Sequence, residues 1–312
     1  MSQALHCFKA LSDETRLRLL HILLHYELSV NELVSILRMG QSRVSRHLKI
    51  LAEAGLLTSR RDGLWVFYMA PERGYGKDFL AAVVPFVDAD ETMRADLDEA
   101  ARLIEERARK TRQFFNAIAE DWDELNREVL GSFDLAAEVA AALPDRCALA
   151  VDLGCGTGTV LEQLLHRAAG VIGVDGSPRM LELCKRRFSP EQLEEGGPIS
   201  LRIGELDHLP LRDGEASFAS INLVLHHLSS PVVALKEIRR ILRAGGQVLV
   251  TDFDKHGDES MRTDYGDRWL GFSEEQMRGM LAEAGLDVCS VRRQPVSRGL
   301  ALLMVLAEKQ QA

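Results

Sequence analysis

The chain has 312 residues, a formal net charge of −9 and 46% hydrophobic residues, which suits two domains or one domain with a sizeable addition. That charge excludes a generally basic nucleic-acid coat, although it allows a local basic patch. The five cysteines, at positions 7, 147, 155, 184 and 289, form no CxxC pair and indicate neither a zinc knuckle nor a disulfide framework. The opening MSQALHCF lacks a basic n-region and a long apolar h-region, and no later run approaches about 18 apolar residues. A reduced, cytoplasmic protein is expected, without a membrane span.

Residues 1–73 form the first block. They carry 10 Lys and Arg against 7 Asp and Glu, a local balance of +3. Ser12 reads as an N-cap before DETRLRLLHILLHY, whose leucines make a broad apolar face. Ser29 with Glu32 reads as a capping box opening VNELVSIL. A turn at Arg38-Met39-Gly40 leads into GQSRVSRHLKILAEAG, a helix closed by Gly55. In LLTSRRDGLWVFYMA, Asp62-Gly63 can turn a hairpin between two apolar strands.

Residues 74–125 form the second block, whose ADLDEAARLIEERARKTRQFFNAIAEDWDEL fits one long helix or two. It reads as a spacer or a dimerising segment. Residues 126–312 form the third. Seven strand candidates, ALAVDL, GVIGVD, PISLRI, ASFASINLVL, GQVLVTDF, LDVCSVR and GLALLMVLA, alternate with helices at about 158–168, 178–188, 231–242 and 273–284. A shorter helix fits after 206. The alternation predicts a mostly parallel sheet covered on both faces. The short link RQPVSRG predicts a hairpin that leaves the last strand antiparallel.

The helices over roughly 29–54 have helix-turn-helix spacing. The second would bury Val44, Leu48 and Leu51 and display Gln41, Ser42, Arg43, Ser45, Arg46, His47 and Lys49. Arg and Lys read guanine edges or neutralise phosphates, and Gln and Ser position. His47 suits a phosphate or a base contact equally. Arg60 and Arg61 at the hairpin tip would reach the minor groove or its phosphates. LSDETRLRLLHIL, LSVNELVSIL, QSRVSRHLKILAEAGLL and RRDGLWVFY together resemble the arsenic/metal-responsive winged-helix repressor family over residues 3–70. The resemblance implies a homodimer on palindromic operator DNA, with Gln41–Lys49 in the major groove and Arg60 to Gly63 in the wing. Many members sense metal through cysteines in the helix matching SVNELVSIL. Here Val30 and Asn31 stand in those places, so no metal site is expected.

In VDLGCGTG, an acid stands two residues before the first glycine, and Asp175 ends the next strand. The pattern is neither GxGxxG nor GxxxxGK[ST]. A carboxylate at Asp175 can accept both hydroxyls of a ribose. Together these features resemble the class I S-adenosylmethionine (SAM) dependent methyltransferases over residues 112–307, nearest the ubiquinone/menaquinone branch. The resemblance implies a Rossmann-like α/β domain with strand order 3-2-1-4-5-7-6, binding SAM or S-adenosylhomocysteine (SAH). It places Asp152, Gly154, Gly156 and Gly158 around the methionine part, Asp175 and Gly176 at the ribose, and Met180 near the adenine, unless Met180 is simple core packing. Glu205 and Leu206, in GELDHLPL, would meet the adenine amino group. Asn222 would face the sulfonium, and Trp122 or Phe115 would close over the cofactor. Ala219 replaces the family's usual Asp, and Ala244 its usual Pro. Arsenic methylation is disfavoured, because the positioned cysteines it needs are missing.

Two functions follow. One is a DNA-binding repressor that senses SAM or SAH. The other is a methyltransferase of a small molecule, with His226, His227, Asp252 and Asp254 as local bases and residues 252–272 as part of the substrate rim. Ala219 tilts the balance toward sensing.

Overall fold

A computed structural model describes residues 2–62, 65–87 and 90–310. The chain divides into two compact units, Met1–Arg107 and Ala108–Ala312. The segment 74–125, expected as a block of its own, contributes to both.

The first unit contains α1 (Gln3–Leu11), α2 (Glu14–Leu23), β1 (Leu28–Ser29), α3 (Val30–Leu37), α4 (Gln41–Glu53), β2 (Thr58–Asp62), β3 (Trp65–Met69), α5 (Tyr75–Val83) and the start of α6 (Glu91–Ile118). The cap of α2 is Asp13, whose carboxylate accepts from Arg16 N at 3.1 Å. Ser12, expected in that role, instead ends α1 and donates its hydroxyl to the Lys9 carbonyl at 2.8 Å. A carboxylate one residue closer to the helix outcompetes the hydroxyl for the orphan N–H groups. The capping box of α3 forms as expected, with Ser29 N donating to Glu32 at 2.7 Å. Arg38 takes the left-handed conformation at φ 52° and turns the chain into α4. Val44, Leu48 and Leu51 are buried and pack with Leu19, Leu20, Ile22 and Leu33. Gly55, at φ 74°, closes α4: its own N–H reaches the Ala52 carbonyl and Leu56 N reaches that of Leu51, both at 2.9 Å. The strands pair antiparallel in the order β1-β3-β2. The hairpin tip expected at Asp62-Gly63 involves Gly63, which lies outside the described residues. Arg18 of α2 donates two hydrogen bonds, of 2.7 and 2.9 Å, to the buried Asp96, which fixes the first turns of α6 to this unit.

The second unit contains α7 (Trp122–Leu130), α8 (Leu135–Ala141), β4 (Ala150–Leu153), α9 (Thr159–Leu165), β5 (Val171–Asp175), α10 (Pro178–Lys185), α11 (Pro190–Leu193), β6 (Ile199–Ile203), β7 (Ala216–Asn222), α12 (Pro231–Ile241), β8 (Leu242–Phe253), α13 (Ser260–Asp264), α14 (Glu274–Glu283), β9 (Asp287–Pro295) and β10 (Ala301–Glu308). Among the described residues, these strands form one seven-stranded sheet in the order β6-β5-β4-β7-β8-β10-β9. Read from β4, this is the expected 3-2-1-4-5-7-6. β10 runs antiparallel to both neighbours and the remaining described pairings are parallel. Alternate strand residues feed two apolar clusters. Val151, Leu153, Ala219 and Ile221 pack with Leu235, Ile238 and Met277, while Ala150, Phe218 and Leu249 pack with Val139, Leu161 and Leu164. Burial on both faces explains why the strands read as nearly unbroken apolar runs. After residue 206 a turn bridged between Glu205 and His208 replaces the short helix the sequence allowed. Among the described residues, no helix is long and apolar enough to cross a membrane.

Candidate functional site

In the first unit, Gln41, Ser42, Arg43, Arg46 and Lys49 lie on the exposed side of α4, with Ser45 half-buried. His47 points elsewhere. Its side chain is 12% exposed, and Nδ1 sits 3.6 Å from the Asp13 carboxylate that caps α2. Burial lowers its pKa despite that carboxylate. Arg61 is exposed, whereas Arg60 donates two 3.1 Å hydrogen bonds to Glu27 and lies 4.6 Å from the Phe67 ring centre. The basic face is therefore narrower than the sequence suggested.

In the second unit, the polar residues gather at the carboxyl ends of β4, β5, β7 and β8, where an open parallel sheet leaves its crevice. Asp152 lies buried in β4 and accepts from Ser220 Oγ at 2.6 Å and Asn222 Nδ2 at 3.4 Å. Burial pushes its carboxyl up to about 7, against the pull of both donors. The loop Gly154–Gly158 follows. Gly154 needs φ 69°, and a Cβ there would stand 2.5 Å from Val224. Gly156, at φ 51°, turns its N–H toward Asp175 Oδ2 at 2.8 Å, and its Cβ would stand 3.3 Å from Trp122 Nε1. Gly158 caps α9. The other oxygen of Asp175 accepts from Ser177 N at 2.8 Å. Burial raises the Asp175 pKa, and the two N–H groups hold it down in part. A carboxylate oxygen has two lone pairs, so Asp175 retains acceptor capacity beside Gly176.

Around this cradle, Met180 is buried in α10. Glu205 is exposed and ion-paired to Arg112, with Leu206 half-buried next to it. Asn116 accepts from Ser177 Oγ at 2.6 Å. Trp122 packs edge-on against Phe115 at 5.4 Å, and Phe115 against His227 at 4.8 Å. Asn222 Oδ1 is buried with no hydrogen-bond partner among the described residues.

Leu223, at φ 57°, turns the end of β7 into the helical turn Leu225–His227. A left-handed leucine costs about 1–2 kcal/mol, and its 2.8 Å bond to the Thr251 carbonyl helps hold it. His226 is buried, with Nδ1 2.7 Å from Asp252 and Nε2 3.5 Å from Asp267. Burial lowers the His226 pKa, but the two carboxylates outweigh it and raise the ring to about 9. Burial and the neighbouring His226 depress His227 well below the usual range. Asp254 pairs with Arg293 at 2.8 Å. The two histidines, Asp267, Trp122, Phe253 and Tyr265 line one cleft. Asp267 went unrecognised in the sequence, where it was one of several acids in the rim segment. Arg112 and Asn116 gave no motif signal at all.

Comparison with known proteins divides the chain the same way. The model for bacterial regulatory proteins of the arsR family matches residues 13–59, and that for a methyltransferase domain matches 151–250. The chain joins an arsR-type helix-turn-helix region to a methyltransferase domain. The first region is similar to the arsenic resistance transcriptional regulator of Pseudomonas putida, 50% identical over 62 residues, which are 20% of this chain and 48% of that protein. The second is similar to the ubiquinone/menaquinone biosynthesis C-methyltransferase of Geobacter sp., 24% identical over 156 residues, 48% of this chain and 66% of that protein. A [4+2]-cyclase, SpnF, shares the fold with a TM-score of 0.55 at 17% identity, over 64% of this chain and 95% of its own. The chain spans between 33% and 66% of the length of the first curated relatives it matches. An arsR-type helix-turn-helix implies DNA binding, and a methyltransferase domain implies a SAM or SAH site.

Proposed function

We propose that the protein is a dimeric DNA-binding transcriptional repressor whose second unit binds SAM or SAH as an effector. The observation that carries this reading is the presence, in one chain, of a basic face on α4 and a nucleoside cradle at the sheet's carboxyl edge. Gln41, Ser42, Arg43, Arg46 and Lys49 would engage operator DNA, with Arg61 in the wing. The residues of the cradle suit the cofactor. Asp175 can take the ribose hydroxyls, and the buried Asn222 Oδ1 has no partner among the described residues, a place that a cationic or polar methionyl group would fill. Asp152, whose carboxyl burial pushes up to about 7, would be stabilised as a carboxylate by a nearby positive charge. Trp122 would cover the glycine loop. Met180 and Leu206 would border the adenine, and Glu205 would have to leave Arg112 to reach its amino group.

Sensing requires that the effector bind the DNA-competent and incompetent forms with different affinity. The deciding experiment is operator affinity by gel shift with and without saturating SAM or SAH. A change of about fivefold or more is expected for at least one of them. Equal affinities would sink the sensor.

A second reading, methyl transfer to a small molecule, is favoured by the cleft holding His226 and His227 next to the cradle. When bound, SAM would supply the electrophilic methyl group. The chain would align the acceptor and exclude water, and His227, the neutral ring of the pair, would take up its proton, with Asp252 behind His226. Turnover of an acceptor, abolished with the His227→Ala variant, would establish it. The shared fold with a cyclase shows that architecture does not choose between the readings.

A further inference from the structure

The cleft of the second unit gathers side chains that neither reading requires as a group. His226 Nε2 lies 3.5 Å from Asp267 Oδ1, and His227 Nδ1 lies 4.0 Å from the same oxygen. One ligand atom from each of the three residues falls within 4.8 Å of the other two. The Asp267 side chain is 0% exposed, yet neither of its oxygens has a hydrogen-bond partner among the described residues. A buried carboxylate in that state is strongly disfavoured unless a cation satisfies it. Asp252 meanwhile engages Nδ1 of His226 at 2.7 Å and leaves Nε2 directed at Asp267. A carboxylate behind an imidazole is the arrangement that orients metal-binding histidines. The Gly266 carbonyl lies 3.3 Å from the same His227 Nδ1, a contact that this nitrogen gives up, with its proton, when it takes an ion.

We propose that His226, His227 and Asp267 bind a divalent transition-metal ion of the zinc type at the floor of this cleft. Two imidazoles and one carboxylate suit a first-row ion better than magnesium or calcium, which prefer all-oxygen sets. Bonds of roughly 2.0–2.2 Å hold neighbouring ligand atoms about 3–3.6 Å apart, which the His226–Asp267 pair already satisfies. His227 Nδ1, 4.0 Å from Asp267, has to shift inward and leave the Gly266 carbonyl. Three protein ligands leave coordination positions open, and Trp122, Tyr265, Phe253 and Met261 enclose the space beside them. An oxygen or nitrogen of a small ligand would complete the shell. The ion site uses none of the cradle residues and so is compatible with sensing; under methyl transfer, an ion held by His227 would take that ring's place in activating the acceptor. The residues are adjacent at 226 and 227 but distant at 267, which hid the set from spacing rules.

The competing account is a metal-free ion triad, Asp252, protonated His226 and Asp267. Full-length protein, stripped by chelator, is titrated with Zn²⁺ by calorimetry and with Co²⁺ by visible absorption. One ion per chain is expected, with Co²⁺ d–d bands and no thiolate charge-transfer band. Asp267→Ala and His227→Ala should each weaken binding at least tenfold, and Asp252→Asn by about 10–100-fold. The site is overturned if wild-type protein binds no stoichiometric ion, if a thiolate band places the ion on cysteines, or if both ligand variants bind as tightly as wild type. The wild-type titrations decide alone if a variant fails to fold.

Discussion

Asp152 is the residue whose charge depends most on its surroundings. Its folded pKa of about 7 stands above the ordinary 3.8, so the folded chain holds a proton that the unfolded chain has released between those values. Stability from this group is therefore fullest below about pH 4 and is lost as pH rises toward 7, by on the order of a few kcal/mol. Urea unfolding between pH 4.5 and 7.5 should show that slope in wild type and a flatter one in Asp152→Asn. These values are roughly the span over which the proton is held. Cofactor binding carries the opposite sign, because a methionyl ammonium selects the ionised form. SAH affinity should fall below about pH 7, by up to tenfold per unit, with proton release on binding. The Asn variant should lose that dependence. Asp175 acts differently. It anchors two loop N–H groups and would hold the ribose, so Asp175→Ala should cost SAM and SAH at least tenfold in affinity. Unchanged calorimetric affinity would remove the assignment.

At the scale of elements, α4 and the wing hairpin make separable predictions. Arg43→Ala and Arg46→Ala should each weaken operator binding and reduce the salt dependence by roughly one unit per lost phosphate contact. His47→Ala should leave the salt dependence alone and lower the melting temperature, since the ring packs beside the Asp13 cap. The reverse outcome would put His47 back on the DNA face. The helices, the capping box of α3 and the seven strands were legible because each rests on local period, caps and turns, whereas the strand order came only with the family resemblance that the glycine loop and Asp175 carry. The cap of α2 slipped by one residue because Ser12 and Asp13 are both good caps, and only the chain geometry selects between them. Arg60 reads as a DNA contact because composition reports charge, and not the two hydrogen bonds that it donates to Glu27 in the folded chain. The glycine loop and Asp175 were legible as a motif. The grouping of Asp267 with His226 was not, because it depends on how the segment after β8 folds back, with Arg268 and Trp269 both donating to the His226 carbonyl at 2.9 Å.

At the scale of the whole molecule, the question is whether two binding activities share one free-energy balance. If SAH changes operator affinity by some factor, operator must change SAH affinity by the same factor, since the coupling belongs to the pair of sites. The gel-shift ratio and a calorimetric ratio, SAH binding with and without operator duplex, should therefore agree, in a range of about 5–150-fold. This reciprocity holds for binding whatever the direction of the effect, and it does not extend to turnover. It also separates the two readings. A methyltransferase with an independent DNA-binding region would give ratios of one in both measurements while still consuming SAM. An effector-responsive repressor gives equal ratios away from one, with or without chemistry. Asp175→Ala then serves as the internal control. It should bring both ratios to one at cofactor levels that saturate wild type, and leave operator affinity in the absence of SAH intact.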